Sequence, residues 1–400
     1  MTQTVRSVRE ASAAGRRRAG RAAAATAHTR VSFLACRAGA REHELAVQRG
    51  VAERLAALLG CRFAGDADPA APSTGIGFAV PNDTLTSLEA ARRWGIASEA
   101  DLFGGVVPFP YVASKTITHP LVAPDAAAPA GWCGEFAERV AAVVLPGLSA
   151  FALDDARRAG RRLLRDGPVR LKLASGIGGA GQAVAQDAAQ LEAQLAALDP
   201  AAIAAHGIVL ERNLADARTF SIGVLRIGSL TASYFGTQCT TKNRHGDEVY
   251  GGSTITLARG GLDTLEPLAA DADVRRAIAM ARCYHTAAFA CFAGMFASRC
   301  NYDVAEGRDG AGRTIAGVLE QSWRIGGASP AEVAALQALC DEPGRRQVSA
   351  STAEVHAPDA AVPEGATLCF RGVDEHVGPI TKYAWVHRHA DARREDRDPA

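Results

Sequence analysis

The sequence predicts an α/β (α+β) protein with a small α/β domain towards its N-terminus. Three observations carry that reading. Short β-branched and apolar runs alternate with amphipathic helical stretches over about residues 30–110. From residue 168 the strand signal returns in longer runs of alternating polarity. The chain has 400 residues, 48% of them hydrophobic, enough for more than one buried core.

Within 30–110, "RVSFLAC" (30–36) reads as a first strand. "AREHELAVQRGVAERLAALLG" follows as a helix, with Leu45, Val51, Leu55 and Leu58 at helical spacing and Gly60 as its stop. "CRFAG" and "GIGFAVP" are short strands, the second closed by Pro81. "TSLEAARRWG" is a second helix, with Thr86 or Ser87 as cap and Gly95 beyond its end.

Residues 111–390 are expected to form the larger domain. Prolines and glycines in "FGGVVPFPYVASKTITHPLVAP" mark turns. "CGEFAERVAAVVL" and "LDDARRAGRRLLRDG" are helices, the latter amphipathic. "PVRLKLAS" is a strand running into a glycine loop, "QAVAQ" a returning strand, and "DAAQLEAQLAALDP" a helix capped by Asp187. "GIVLERNL" is a strand ending in charge, and "RTFSIGVLRIGSLTASYFGTQC" a hairpin turning at "IGS". "DADVRRAIAMARCYHTAAFACFAGMFAS" reads as one long helix, and "NYDVAEGRDGAGRTIAGVLEQSWR" as two strands joined by a glycine loop. "TTKNRHGDEVYGGS" reads as a loop, and "TLCFRGVDEHVGPITKYAWV" as two further strands to which no role is assigned.

A net charge of +1 argues against bulk attraction to nucleic acid or membrane, and no apolar run approaches the ~18 residues needed to cross a bilayer. The nine cysteines form no C-x-x-C pair, so free thiols in a reducing cytoplasm, and no zinc site, are expected. Abundant Ala and Arg with few Lys suggest a bacterial coding sequence. Residues 1–29, basic with the single acid Glu10, and the charged tail 391–400 are expected to be disordered extensions.

The chemistry concentrates in three places. In "VRLKLASGIGGAGQ" the spacing of Gly176, Gly178 and Gly181 matches the dinucleotide fingerprint, and Gly179 adds to the loop. A plain surface turn and an NAD(P) site are both open readings. The dinucleotide reading lacks the acid expected about 20 residues on, and Gln182 stands where a Walker lysine would be. Lys172 on the strand, with loop N–H groups beyond it, fits a lid over nucleotide phosphates better.

In "GIVLERNL", Glu211, Arg212 and Leu214 place backbone groups and a carboxylate beside an apolar side chain, as adenine requires; a solvated strand end is the plainer alternative. In the third place, Asp303 and Glu320 fall on adjacent strands and suit Mg²⁺, while Ser322 and Arg324 follow at two-residue spacing on the same face. A cross-strand charge pairing is the alternative there. Lys242 and Arg244 reach a phosphate or a carboxylate, or lie in a solvated loop. His119 reads as structural, and Cys283, Cys291 and Cys300 as buried thiols.

In this order, strand lysine, glycine lid, strand ending in Glu, and paired acids followed by Arg, residues 110–330 resemble the ATP-grasp superfamily of carboxylate–amine and carboxylate–thiol ligases. "SKTITHPLV", "VRLKLASGIGGAGQ" and "EQSWRIGGAS" are similar to an uncharacterised bacterial family of that superfamily. The resemblance implies an ATP-grasp fold with a lid subdomain at about 165–215, MgATP as nucleotide, a small-molecule carboxylate, and an amine or thiol acceptor. It makes Lys115 and Lys172 the phosphate-binding lysines, with Lys172 and Arg324 acting in catalysis. Glu211, Arg212 and Leu214 become the adenine hinge, and Asp303, Glu320 and Ser322 the metal ligands. The family usually has Asn at the position of Ser322, which motivates a second reading as an ATP-binding regulatory or scaffold protein without turnover. Biotin carboxylase belongs to the same superfamily, but "IGGASPAE" after Arg324 does not resemble its bicarbonate- and biotin-handling segment.

Overall fold

The computed structural model describes residues 28–68, 75–174, 181–357 and 359–387. Both terminal extensions expected from the sequence, apart from residues 28–29, lie outside them.

Near the N-terminus, β1 (Arg30–Leu34) is the centre of a parallel sheet, flanked by β2 (Arg62–Asp66) and β3 (Phe78–Pro81). Between β1 and β2 runs α1 (Glu42–Leu59), which ends where Gly60 turns left-handed at φ 68°. Ser87 caps α2 (Leu88–Arg93) by accepting from Ala90 N–H. The two-residue strand β4 (Gly105–Val106) leads away from this unit.

Next come α3 (Gly134–Val140), β5 (Gly147–Ala150), α4 (Leu153–Leu163), β6 (Val169–Leu173) and β7 (Gln182–Ala185). They are followed by α5 (Ala188–Ala196), α6 (Pro200–His206) and β8 (Ile208–Arg212). The four strands form an antiparallel sheet in the order β5-β8-β6-β7. Leu148, Ala156, Leu191, Ile203 and Leu210 bury α4, α5 and α6 against it. The sheet therefore begins at Gly147, before the lid boundary of 165 drawn from the sequence.

The largest sheet collects β9 (Ala215–Ile227), β10 (Leu230–Lys242), β11 (Glu248–Arg259), β13 (Arg299–Arg308) and β14 (Thr314–Ser322). Three C-terminal strands complete it: β15 (Gln347–Val355), β16 (Thr367–Asp374) and β17 (Gly378–Val386). Its order is β14-β13-β9-β10-β11-β15-β17-β16, antiparallel throughout. One face carries α7 (Ala272–Cys291), packed through Tyr284, Tyr302 and Trp323. The other carries α8 (Ser329–Asp341) together with α1, in a core that joins Val31 and Leu55 to Tyr234, Leu257, Ile325 and Leu336. That shared core fixes the N-terminal unit against the large sheet.

Three expectations change. The long helix stops at Cys291 rather than continuing to 298, because Gly294 is left-handed (φ 81°) and β12 (Phe296–Ala297) turns out to pair with β4. "TTKNRHGDEVYGGS" is not a free loop: its second half opens β11, in register with β10 from Lys242↔Glu248 onward. The elements β4, β5, α6, β12, α8 and β15 were not anticipated.

The two sheets meet at residues 110–120. Two 3₁₀ turns, Pro110–Ala113 and Lys115–Thr118, occupy this stretch. Gln321 of β14 donates to the carbonyls of Val112 and Ser114 at 3.0 and 2.8 Å. From the other side, Ser149 of β5 donates to Thr116 O at 2.6 Å, and its N–H to Pro120 O. Val143 O, in the segment between α3 and β5, accepts from Val318 N–H of β14, a second tie to the large sheet.

Candidate active site

On the small sheet, Lys172 of β6 and Glu211 of β8 are diagonal neighbours, since Lys172 pairs with Val209 and Arg170 with Glu211. Their side chains close to 2.5 Å and are 4% and 1% exposed. The second Glu211 oxygen meets His119 Nε2 at 3.3 Å. His119 reaches it because Gly147, opposite Glu211 on β5, has no side chain: a Cβ there would stand 2.7 Å from the imidazole. Burial raises the Glu211 carboxyl, but Lys172 and then His119 outweigh it and hold the group near 2. His119 is structural in this sense, as the sequence suggested, yet it is also the piece that joins the 115–119 turn to the small sheet.

On the large sheet, Asp303 and Glu320 face each other directly across β13 and β14, beside a bulge between Asp303 and Val304. Like charges directly opposite are unfavourable unless a cation is shared. Lys115 Nζ lies 2.9 Å from Glu320 Oε2. Asp303 Oδ1 accepts from Ser221 Oγ at 2.8 Å and from Gln238 Nε2 and Asn301 Nδ2 at 3.0 Å. Burial, and then Glu320, push the Asp303 carboxyl above its ordinary value. Gln321 and Trp323 are buried towards α7, leaving Glu320, Ser322 and Arg324 half-buried on the opposite face, as their spacing predicted.

Lys115 and His119 thus stand at the two ends of one turn, each on an acid from a different sheet. Arg324 completes the constellation on the large-sheet side. Its Nε lies 3.6 Å from Asp83 Oδ1 and its Nη1 donates to Ile325 O at 3.1 Å. Burial lowers its affinity for the proton, Asp83 opposes that, and Arg37 and Arg299 add to it.

Three predicted residues sit differently from the rest. Ser322 Oγ has the Arg299 guanidinium at 3.4 Å, so a fixed cation already faces that oxygen. Arg299 also donates to the Ser322 and Arg324 carbonyls and forms a fully buried pair with Glu332 of α8. Arg212 directs its guanidinium to Asp166 and Asp309, and its N–H to Pro146 O. Lys242 lies four residues beyond Gln238, ~13 Å further along β10, at the hairpin tip and away from the other residues. Leu214 packs where the chain crosses from β8 to β9, over Gly307 of β13. Gly176, Gly178 and Gly179 lie outside the described residues, while Gly181 opens β7 at φ 69°.

The glycine stretch joins two antiparallel neighbours, Lys172↔Gln182, with Leu173 N–H donating to Gly181 O. A dinucleotide fingerprint must instead lead from a parallel strand into a helix. The NAD(P) reading is therefore corrected: the match is glycine spacing inside a hairpin connection.

No group of three or more His, Cys, Asp or Glu residues among the described ones is arranged to hold a metal ion. The opposed pair Asp303 and Glu320 nonetheless fits Mg²⁺, which takes one or two carboxylates and completes its shell with water and phosphate oxygens. Of the two causes that raise the Asp303 carboxyl, burial first and Glu320 second, such a cation would relieve the second. Sequence reasoning missed Arg299, Glu332, Asp83 and Gln238. A buried Arg–Glu pair separated so far along the chain leaves no local signature.

No helix among the described residues is long and apolar enough to cross a membrane. The nine cysteines are all unpaired. No curated protein matches the chain. Among solved structures, the chain is similar to D-alanyl-alanine synthetase A from Vibrio cholerae, at 12% identity, covering 81% of this chain and 96% of that one with a TM-score of 0.45. It is also similar to phosphoribosylamine–glycine ligase from Thermotoga maritima, at 14% identity, 91% and 94% coverage and a TM-score of 0.46. D-cycloserine synthetase matches at 12% identity, 74% and 92% coverage and a TM-score of 0.41. The family described as "Protein of unknown function (DUF3182)" matches residues 32–384, most of the sequence, and the chain belongs to that family.

Proposed function

We propose that this protein is an ATP-dependent ligase of the ATP-grasp type. It activates a small-molecule carboxylate with MgATP and passes the acyl group to an amine or thiol. The observation that carries the reading is the turn 115–119, whose two ends bring Lys115–Glu320 and His119–Glu211–Lys172 together from separate sheets. Lys115 and Arg324 stand beside the opposed acids Asp303 and Glu320, which is the charge pattern a metal–triphosphate needs.

In this reading the nucleotide lies between the two sheets. Lys115 holds phosphate oxygens, Lys172 holds Glu211 in place at the start of the hinge Glu211–Leu214 that lines the adenine, and Asp303 and Glu320 hold Mg²⁺. The metal, when bound, supplies charge neutralisation on the phosphates. A carboxylate oxygen of the substrate attacks the γ-phosphorus, the bond to the β-phosphate oxygen breaks, and ADP leaves. The acceptor amine or thiol then attacks the acyl carbon and expels inorganic phosphate, losing its proton to solvent. Arg324 balances the charge on the transferred group, so catalysis is positioning and electrostatics without a side-chain nucleophile.

Titration of the protein with MgATP, followed by ADP and phosphate release against a panel of carboxylates and amines, tests this. Micromolar MgATP binding that drops at least tenfold in Asp303→Asn is expected. Stabilisation by NAD or NADP but not by MgATP would overturn the reading. Tight MgATP binding with no turnover on any acceptor would favour the regulatory or scaffold alternative that Ser322 motivates.

A further inference from the structure

Gly223 lies in the interior of β9, where a glycine gives the strand no side chain to pack. Its cross-strand neighbours are Tyr234 of β10 on one side and Asn301 of β13 on the other. The Tyr234 ring fills the gap: a Cβ on Gly223 would stand 2.2 Å from it. The hydroxyl thereby passes over a whole strand and reaches Asn301 Oδ1 at 2.8 Å. Asn301 in turn donates from Nδ2 to Asp303 Oδ1 at 3.0 Å. The hydroxyl hydrogen thus sets which way the Asn301 amide faces. Turned over, the amide would place its oxygen against the Asp303 carboxylate.

That hydrogen has a second acceptor. Glu332 Oε1 of α8 also lies 2.8 Å from the Tyr234 hydroxyl, which has one hydrogen to give. Arg299 decides between the two. Its Nη2 donates to Glu332 Oε1 at 2.6 Å and its Nε to Oε2 at 3.2 Å, a bidentate grip that takes up the carboxylate's charge. Ser329 Oγ donates to Oε2 as well, at 3.0 Å. With Glu332 so engaged, the hydrogen of Tyr234 is left to Asn301. Arg299 and Glu332 are 3% and 0% exposed. A buried ion pair adds little net stability over apolar residues of the same volume, so stability alone does not account for this one.

We propose that Tyr234 is a positioning residue for the Asp303 carboxylate, acting through Asn301, with Gly223 giving it a path and Arg299 keeping its hydrogen from Glu332. This rests on the reading of Asp303 as a magnesium ligand. Tyr234 itself touches neither metal nor nucleotide. Groups that hold a metal ligand in place change metal affinity when they are removed.

The test uses the full chain and a non-hydrolysable ATP analogue, titrated calorimetrically over a series of magnesium concentrations, with urea unfolding alongside. Tyr234→Phe keeps the ring in the core and removes one hydroxyl. It should raise the magnesium needed for half-maximal nucleotide binding about tenfold and leave affinity at saturating magnesium within about twofold. Asn301→Ala breaks the same chain one link nearer the metal. It should give a similar rise, and the double variant should add little to either. Glu332→Gln separates the two roles. Its amide can donate to the Tyr234 oxygen, so the hydrogen stays on Asn301 and the magnesium requirement should rise less than about threefold. Arg299, however, loses its counter-charge, so the urea midpoint should fall further than in Tyr234→Phe. A purely structural role for Tyr234 would make magnesium requirement and urea midpoint move together across the three variants, and that result overturns the proposal. So does a requirement within about twofold in Tyr234→Phe, whatever Asn301→Ala does. Nucleotide binding that ignores magnesium in the unaltered protein would overturn the ligase reading and this inference with it, a failure visible before any variant is made.

Discussion

The two ion clusters at the ends of the 115–119 turn use the same residue types for opposite ends. On the small sheet, Lys172, Glu211 and His119 are sealed, with side chains at most 4% exposed. On the large sheet, Lys115 meets Glu320 whose side chain is 35% exposed, beside a second acid and an arginine that reaches solvent. A sealed pair must satisfy itself, because neither charge can recover water when its partner goes. An open pair can exchange its partner for a ligand. The difference teaches that lysine, glutamate and proximity do not by themselves mark a reactive site. Exposure decides which cluster is a joint and which is available for chemistry.

The largest test of that contrast is removal of each lysine. Lys172→Met leaves Glu211 buried with His119 alone and should cost about 3–5 kcal/mol in urea unfolding. Lys115→Met leaves Glu320 able to rehydrate and should cost less than half as much, while weakening MgATP more than its fold. Equal destabilisation by both substitutions would break the comparison.

The acid limb of stability provides the next test. Glu211 is held near 2 against an ordinary 4.5. Its folded value is depressed, so its contribution is present in full above about 4.5 and is lost as pH falls through 2. Unfolding free energy measured between those values should therefore fall with decreasing pH. The slope should flatten in Lys172→Met, which removes the main cause of the depression. An unchanged slope would mean that the sealed pair is not what the low value reports.

How much of this was legible beforehand depended on distance along the chain. Asp303 opposite Glu320 followed from one short glycine loop between two strands, because hairpin geometry fixes register. The alternation of Glu320, Ser322 and Arg324 followed from the pleat. Lys172 and Glu211 each stand out in the sequence, but as separate phosphate and adenine contacts. Their pairing depends on β6 lying against β8 rather than on anything nearby in the sequence. The role of His119 was hidden more deeply. Its only signal is Gly147, and that glycine means nothing until the β5–β8 register sets it against the imidazole. The buried Arg299–Glu332 pair was invisible for the same reason, since it ties β13 to a helix the sequence reading did not find. Local periodicity is written in the chain, whereas contacts made by sheet order are written only in the fold.

The smallest expected effect bears on the open cluster itself. If Ser322 were a metal ligand as important as its neighbours, Ser322→Ala would raise the Mg²⁺ requirement for nucleotide binding about as much as Asp303→Asn. Arg299 already faces Ser322 Oγ at 3.4 Å and is locked there by Glu332, so a divalent cation at that oxygen would meet a fixed positive charge. We therefore expect Ser322→Ala to change MgATP affinity less than threefold across a magnesium titration, against at least tenfold for Asp303→Asn. A comparable loss in both would place the metal closer to Ser322 than the guanidinium now allows and would require Arg299 to move on binding. A loss in neither would transfer Asp303 and Glu320 from the open cluster to the structural one.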